Sequence, residues 1–254
     1  MSTLFHFVAR DYASQFEKDG YALVRNGVTS DFLDYVKDQL NRCAHEAEDL
    51  SPRVEQRRLK QQYLFEFREE DLFDRAVELV TMVGELTGLP ADELVLSERH
   101  MKIYRADAPQ NPPPHKDRRA TQISVGIPLE IPSISRLILY PYHQRGENVF
   151  DSYDEFIRSL PLEQRPENAL KGIAPVEVDT RPGDLIVFWG SSMYHERMGA
   201  AGSRVLYLKL NTLGLDPLGE NLPMLPLKSS RVATALAEAG LARVPRQGAP
   251  VATR

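Results

Sequence analysis

Residues 181–211 carry the clearest strand pattern of the chain and read RPGDLIVFWGSSMYHERMGAAGSRVLYLKLN. Pro182 and Gly183 form a turn signal, and the apolar run LIVFW that follows is typical of a buried strand. A second run, RVLYLKLN, begins at Arg204. The pattern predicts a strand at each run, with His195 at the start of a strand region between them.

Short β-rich runs of the same kind extend upstream to about residue 94, each separated from the next by turn residues. In chain order they are VLSERHMKIYRA, ATQISVGIPLEI, SRLILYPY, PVEV, DLIVFW and RVLYLKLN. Because no helical pattern lies between each pair, the runs favour a sandwich or barrel of antiparallel strands over a parallel βαβ sheet. We therefore predict an α+β fold with a mainly β core.

The N-terminal part has a mainly helical pattern. One helix is predicted to begin with a cap at Ser30, and a second to end at Gly88 before Pro90. Between them, residues 59–67 alternate with a period of two, which is typical of a strand. The apolar positions of the two helices are Phe32, Leu33, Val36 and Leu40, then Leu72, Ala76, Leu79, Val80, Val83 and Leu86.

The chain is interpreted as one domain. A polar, charged and helix-compatible insertion interrupts the β core, and because it is longer than most loops it is a candidate lid. The predicted domain covers residues 1–254. It consists of a mainly helical part at 1–93, a β core at 94–214 that contains the insertion at 144–172, and a C-terminal part at 215–254. The C-terminal part is predicted to contain a connector, a helix at 229–242 and a tail.

Composition narrows the class of protein. The 254 residues are 42% hydrophobic and 26% charged, which is ordinary for a globular protein with a substantial core. A formal net charge of -5 gives no basic excess that would favour a nucleic-acid or membrane partner. Cys43 is the only cysteine, so neither an intramolecular disulfide nor a thiolate cluster can form. The N-terminus lacks the pattern of a signal peptide, and we expect a cytoplasmic protein.

One short motif suggests metal binding: His115 and Asp117, two positions apart, directly before a predicted strand. In extended backbone, residues at this spacing point to the same side, so the imidazole and the carboxylate can bind one ion. Such a pair arises by chance with roughly even odds at this composition, so the motif alone is weak evidence. A second possible metal site is His45 with Glu48 and Asp49, which would lie on one face of a predicted helix. Because that helix offers no further imidazole, we interpret these residues as a solvent-exposed face.

His195 supplies a second imidazole downstream. Two neutral imidazoles and one carboxylate on one face of an octahedral ion leave three positions open, an arrangement suited to Fe(II) and O₂ chemistry. A structural zinc site would instead be closed by four protein ligands. We therefore predict His115, Asp117 and His195 as the ligands of an iron site.

Arg204 opens the last predicted strand. A guanidinium can bind a carboxylate through two parallel hydrogen bonds, which suits the far carboxylate of a keto acid that chelates the iron. Arg197 competes for this role, and Arg204 is preferred because it begins a clear strand.

These residues resemble the double-stranded β-helix of the 2-oxoglutarate oxygenases and, more narrowly, the phytanoyl-CoA dioxygenase-like family. The resemblance implies His115 and Asp117 as proximal ligands, His195 as the distal ligand and Arg204 as the 2-oxoglutarate anchor. It also implies a jelly-roll or cupin-like core with flanking N-terminal helices. The similar stretches are FEKDGYALVRNGVTSDFLDYVKDQL near the N-terminus, HKD at 115–117, PGDLIVFWGSSMYH at 182–195, and Arg204.

Further side chains are candidates for the same pocket. Lys102 and Tyr104, on the strand before the metal loop, are candidates for co-substrate binding, with core packing or solvent exposure as the alternatives. At most one of Arg118 and Arg119 can point inward, because neighbouring strand residues face opposite sides. The candidates for substrate contacts are Arg118, Arg119, Trp189 and Arg197.

The activity expected from the residues and the resemblance is oxidation of a small organic molecule with Fe(II), 2-oxoglutarate and O₂, releasing succinate and CO₂. The carboxylate of Asp117 favours hydroxylation, because related halogenases have a small residue at that position. Two alternatives stay open: a cupin-like metal enzyme that needs no keto acid, and a catalytically silent β-helix that serves as a binding module. A homodimer is also left open.

Overall fold

The computed structural model describes residues 3–46, 55–57, 60–105, 113–141 and 146–221. The strands in chain order are β1 (Tyr21–Val24), β2 (Glu55–Arg57), β3 (Lys60–Leu64), β4 (Val95–Tyr104), β5 (Ile123–Glu130), β6 (Arg136–Leu139), β7 (Val176–Val178), β8 (Leu185–Trp189), β9 (His195–Met198) and β10 (Arg204–Asn211). A large sheet has the order β1-β8-β5-β10-β4-β3-β2, and a small sheet has the order β7-β6-β9. Every strand pair is antiparallel, which confirms the predicted β core.

The two sheets face each other. Ile186 and Phe188 of β8 pack with Leu137 of β6 in a small apolar core between the sheets. Leu185 and Val187 of the same strand point the other way and join a larger core. The buried run at β8 is therefore covered on both sides, which explains why it is apolar throughout rather than alternating.

Three helices pack on the outer face of the large sheet: α1 (Ala13–Asp19), α2 (Ser30–Glu46) and α3 (Leu72–Thr87). The predicted apolar face of α2 is buried there through Phe32 and Val36. As predicted, α3 ends at Gly88, which has a φ of 74° and donates its N–H to the carbonyl of Gly84 at 2.9 Å. A left-handed residue at this place is typical of a helix C-terminus.

The start of α2 differs from the prediction by one residue. Ser30 is the first helical residue, and the hydroxyl of Thr29 accepts the N–H of Phe32 at 3.4 Å. Thr29 is therefore the capping residue, because its side chain satisfies a free N–H of the first turn.

Strand alternation places polar side chains between the sheets. In β10, Leu206 and Leu208 join the core under the helices, so Tyr207 and Lys209 point to the opposite side. In β4, Met101 lies in the same outer core and its neighbours point inward. The inward side chains of β4 that line one cavity with Tyr207 and Lys209 are Glu98, His100, Lys102 and Tyr104.

The predicted insertion contains two short helices, α4 (Tyr153–Ser159) and α5 (Pro166–Ala169). The hydroxyl of Ser152 accepts the N–H of Glu155 at 3.1 Å and caps α4. The strand predicted at 59–67 is present as β3, which pairs with β4. The helix predicted at 229–242 lies outside the described residues.

The insertion is fastened to the segment that carries the metal motif. The side-chain amide of Asn148 donates to the carbonyl of Asp117 at 2.9 Å, and the ammonium of Lys116 donates to the carbonyl of Gly146. That ammonium also lies 4.6 Å from the centroid of the Tyr194 ring, a cation–π contact. These contacts hold the insertion and the metal motif together.

Among the helices of the described ranges, none is both long and apolar enough to cross a membrane.

Candidate metal centre

The backbone brings the two candidate imidazoles side by side. His115 and His195 exchange both backbone hydrogen bonds at 2.9 Å, which adds the metal segment to the edge of the small sheet beside β9. Their ring centroids are 4.5 Å apart. Two positions later, the N–H of Asp117 donates to the carbonyl of Gly190 at 2.9 Å, at the end of β8. The segment thus bridges the two sheets in extended form.

The three predicted ligands meet at one point. One ligand atom from each of His115, Asp117 and His195 lies within 4.8 Å of the others. The Nε2 atom of His195 is 3.8 Å from Oδ2 of Asp117. No second group of this kind occurs in the ranges that the structure describes.

Hydrogen bonds orient both imidazoles. Nδ1 of His115 is 2.8 Å from the carbonyl of Pro113, and Nδ1 of His195 is 3.0 Å from the carbonyl of Met193. A carbonyl only accepts, so each Nδ1 carries the hydrogen and each Nε2 keeps its lone pair. This pattern of outer contacts is typical of metal-binding histidines.

The carboxylate of Asp117 is held at both oxygens. The ammonium of Lys209 donates to Oδ1 at 2.7 Å, and the hydroxyl of Ser124 donates to Oδ2 at 2.8 Å. Burial by itself raises the pKa of Asp117, but Lys209 and the two neighbouring imidazoles lower it well below its usual range. Burial lowers the pKa of His195, and the attraction of Asp117 offsets only part of that effect. At neutral pH the site therefore holds an ionised carboxylate beside a neutral imidazole, the states that bind a metal.

These donors fit a ferrous ion. Two imidazole nitrogens and one carboxylate oxygen, with no thiolate, form the ligand set found in non-haem Fe(II) oxygenases. The described residues offer no fourth ligand within the cluster, whereas a structural zinc site needs one.

Gly190 lies against the carboxylate and leaves no room for a side chain. A Cβ added there would be 2.5 Å from Oγ of Ser124 and 2.9 Å from Oδ2 of Asp117. We therefore expect Gly190→Ala to displace both groups and to weaken metal binding roughly 10- to 100-fold, the range seen when groups that orient ligands are altered. Titration of the apoprotein with Co(II) measures the change.

Gly84→Ala is the matched control. Its added Cβ would be 2.9 Å from Cβ of Ala91, a comparable clash inside the helical layer. This variant should lower thermal stability while metal affinity stays unchanged. Equal metal affinity in the wild type and in Gly190→Ala would contradict the role given to this glycine.

A cavity of about 1370 Å³ extends from the candidate ligands across the inner face of the large sheet. Arg197 lines it, two positions after His195 on β9 and on the same face of that strand. Its guanidinium is buried, with Nη1 3.3 Å from Oγ of Ser135 and Nη2 3.3 Å from the hydroxyl of Tyr207. Its Nε has no hydrogen-bond partner among the described residues. A buried guanidinium held only by hydroxyls is ready to bind an anion.

Arg204 does not line this cavity. Its Nε lies 3.3 Å from Oε2 of Glu130, and its Nη1 donates to the side chain of Asn41 on α2 at 3.1 Å. Side chains alternate between the two faces of a strand, and Arg204 lies on the same face of β10 as Leu206 and Leu208. Arg204 therefore points toward the helices. This placement argues against the anchoring role expected for Arg204 and in favour of its competitor, Arg197.

Some of the remaining predicted site residues line the cavity, and others lie outside it. Lys102 and Tyr104 are buried and line the cavity, and Nζ of Lys102 lies 5.0 Å from the centroid of the Tyr207 ring. Arg118 also lines the cavity, where its Nε is 2.9 Å from Oε1 of Glu98, whereas Arg119 does not. Trp189 packs instead against Phe16 of α1, with 5.4 Å between ring centroids, and lies outside the cavity lining.

Two cavity residues have no counterpart in the sequence-based predictions. Lys209 contacts the candidate ligand Asp117 directly, and Tyr153 of the insertion places its ring 6.1 Å from that of His115. The alternation of RVLYLKLN could have revealed Lys209, because it is a charged residue on the inward face of a buried strand. Nothing in the polar sequence of the insertion distinguishes Tyr153.

No model of a protein family matches the chain, and no curated protein matches it. Solved structures do match over most of its length. They include the non-haem alpha-ketoglutarate-dependent carbocyclase SnoK from nogalamycin biosynthesis, at 11% identity and a TM-score of 0.56 over 83% of this chain and 87% of that chain. AviO1 from Streptomyces viridochromogenes Tue57 matches at 16% identity and a TM-score of 0.59, over 85% of this chain and 99% of that chain.

HygX from Streptomyces hygroscopicus, solved with nickel, 2-oxoglutarate and hygromycin B bound, matches at 12% identity and a TM-score of 0.55. That alignment covers 82% of this chain and 89% of HygX. At these identities the likeness establishes the fold. The chain therefore has the jelly-roll, or double-stranded β-helix, fold of these solved structures, as its sequence resemblance implied.

Proposed function

We propose that the chain is a non-haem Fe(II) and 2-oxoglutarate-dependent oxygenase that oxidises a small organic molecule. The observation that carries this proposal is the meeting of His115, Asp117 and His195 in one cavity with the buried guanidinium of Arg197. The solved structures add support, since SnoK is described as alpha-ketoglutarate dependent and HygX was solved with a metal, 2-oxoglutarate and hygromycin B.

In this proposal His115, Asp117 and His195 hold Fe(II) through two Nε2 atoms and one carboxylate oxygen. Bound there with 2-oxoglutarate, Fe(II) would supply the activation of O₂ that oxidises the substrate and yields succinate and CO₂. The protein orients the ligands through the carbonyls of Pro113 and Met193, which keep both imidazoles in the tautomer that binds metal.

Arg197 is the proposed anchor for the far carboxylate of 2-oxoglutarate. Its position two residues after His195 places the guanidinium on the same face of β9 as the imidazole. Tyr207 and Ser135 hold the guanidinium without neutralising it, so its charge is available for a dicarboxylate. Lys102 and Tyr104 line the same cavity and are proposed to support the co-substrate.

The rest of the cavity is proposed to take the substrate. Its volume of about 1370 Å³ exceeds the usual range for small-molecule pockets, so there is room for a substrate beside the keto acid. Tyr153 of the insertion lines the cavity near the metal site, where its hydroxyl donates to the carbonyl of Pro114 at 3.1 Å. Four statements remain predictions from the sequence: that this insertion acts as a lid, that residues 1–254 form a single domain, that the protein is cytoplasmic, and that it forms a homodimer.

The direct test is production of succinate from 2-oxoglutarate by the purified protein with Fe(II) and O₂. We expect slow succinate formation without substrate, faster formation with a true substrate, and none without iron. Metal-dependent turnover of a substrate without consumption of 2-oxoglutarate would favour the cupin-like alternative. A protein that takes up no Fe(II), Co(II) or Ni(II) would favour the silent binding module.

A further inference from the structure

The two oxygens of Asp117 have different surroundings. Oδ2 lies 3.8 Å from Nε2 of His195 and accepts the hydroxyl of Ser124. Oδ1 accepts the ammonium of Lys209 at 2.7 Å. The oxygen nearest the second imidazole is therefore bonded to a neutral hydroxyl, while the other is bonded to a full positive charge.

Lys209 is held firmly in this position. Its side chain is 8% exposed, and its Nζ is also 3.8 Å from Oε2 of Glu98, which lies opposite Lys209 in the pairing of β10 with β4. Glu98 is itself fixed by Arg118 at 2.9 Å and by Nδ1 of His100 at 3.5 Å. An ammonium between two buried carboxylates cannot leave one of them without a large electrostatic cost.

The number of open positions on the metal depends on how the carboxylate binds. A carboxylate can bind a metal through one oxygen or through both. With two imidazoles and one carboxylate oxygen, an octahedral ion keeps three positions, enough for a chelating keto acid and O₂. Chelation by both carboxylate oxygens would remove one of the three.

We propose that Lys209 is a positioning residue that occupies Oδ1 of Asp117, restricts this ligand to binding through Oδ2, and so keeps the third position open. The role rests on the proposed function, since it explains how this chain leaves room for both 2-oxoglutarate and O₂. Lys209 acts through Asp117 and does not itself touch the reacting atoms.

The test counts water molecules on bound Mn(II), which replaces Fe(II) and needs neither 2-oxoglutarate nor turnover. Broadening of the Mn(II) electron paramagnetic resonance signal by ¹⁷O-water gives the number of bound waters. We expect three in the wild type and two in Lys209→Met, which keeps the apolar stem and loses the ammonium. In Lys209→Met we also expect binding of 2-oxoglutarate to the Mn(II) protein to weaken roughly 10- to 100-fold.

Ser124→Ala is the matched control, because it removes the contact to Oδ2 and leaves Lys209 on Oδ1. This variant should keep three waters even where its metal affinity falls. If Lys209→Met does not fold, Lys209→Met combined with Glu98→Gln removes one of the two buried carboxylates that lose the ammonium and carries the same expectation of two waters.

The outcomes separate this role from the proposed function. Three waters in the lysine variants overturn the role of Lys209 and leave the function standing. The expected water counts together with no succinate formation in the wild type would overturn the function alone. A wild type that binds no Mn(II) would contradict both.

Discussion

Replacing His195 with Ala should weaken binding of Co(II) or Fe(II) more than about 100-fold, because the change removes a ligand rather than a group that only orients one. The imidazole is buried, and its Nδ1 is committed to the carbonyl of Met193, so Nε2 is the atom that the metal loses. Apart from His115, which is itself a candidate ligand, no imidazole in the described ranges belongs to this cluster. Isothermal titration of the apoprotein measures the change.

His45→Ala is the matched control for this prediction. His45 is an exposed residue near the end of α2, and the sequence offered it as a competing metal site. Its replacement should leave metal affinity unchanged. Wild-type affinity in His195→Ala, or a loss of affinity in His45→Ala, would place the metal elsewhere.

Arg197→Gln should weaken 2-oxoglutarate binding to the metal-loaded protein on the order of 100-fold or more. Two hydrogen bonds from a guanidinium to a carboxylate contribute about 1.5–3 kcal/mol each, and each 1.4 kcal/mol is about tenfold in affinity. The shorter, neutral side chain of Gln can neither donate two parallel hydrogen bonds to a carboxylate nor supply a positive charge. Metal affinity should change little, because Arg197 is not among the candidate ligands.

Arg204→Gln provides the control within the same pair of candidates. Arg204 pairs with Glu130 on the outer face of the large sheet, so its loss should leave 2-oxoglutarate affinity unchanged. Arg197→Lys should recover part of the affinity by restoring the charge. The opposite ranking, with Arg204→Gln severe and Arg197→Gln mild, would restore the assignment that the sequence favoured.

The contrast between these two arginines shows where the sequence could and could not guide the assignment. The antiparallel β core and the same-side placement of His115 and Asp117 were predictable, because strand runs and extended spacing are local properties. That the distant His195 joins them followed from the ligand set and the family resemblance, not from a local pattern. The preference for Arg204 rested on the start of a strand and did not consider on which face of β10 its side chain lies. Counting along RVLYLKLN places Arg204 with Leu206 and Leu208, which are the residues buried under the helices.

Other features depend on pairing between distant segments. Lys209 meets Asp117 only because β10 lies between β4 and β5, and no local pattern reports that order. The contact of Tyr153 with the metal segment likewise requires the insertion to fold back over residues that precede it by some 40 positions. Side chains of this kind become visible only once the register is known.

Visible absorption of the protein with Fe(II) and 2-oxoglutarate, recorded without O₂, tests directly whether His115, Asp117 and His195 hold an iron that a keto acid can chelate. Chelation of the ferrous ion by a keto acid creates a metal-to-ligand charge-transfer band that neither component shows alone. We expect this band in the wild type, its loss in His195→Ala, and its appearance only at much higher 2-oxoglutarate concentration in Arg197→Gln. A wild-type protein that binds Fe(II) but develops no such band at saturating 2-oxoglutarate would contradict the proposed iron and 2-oxoglutarate site.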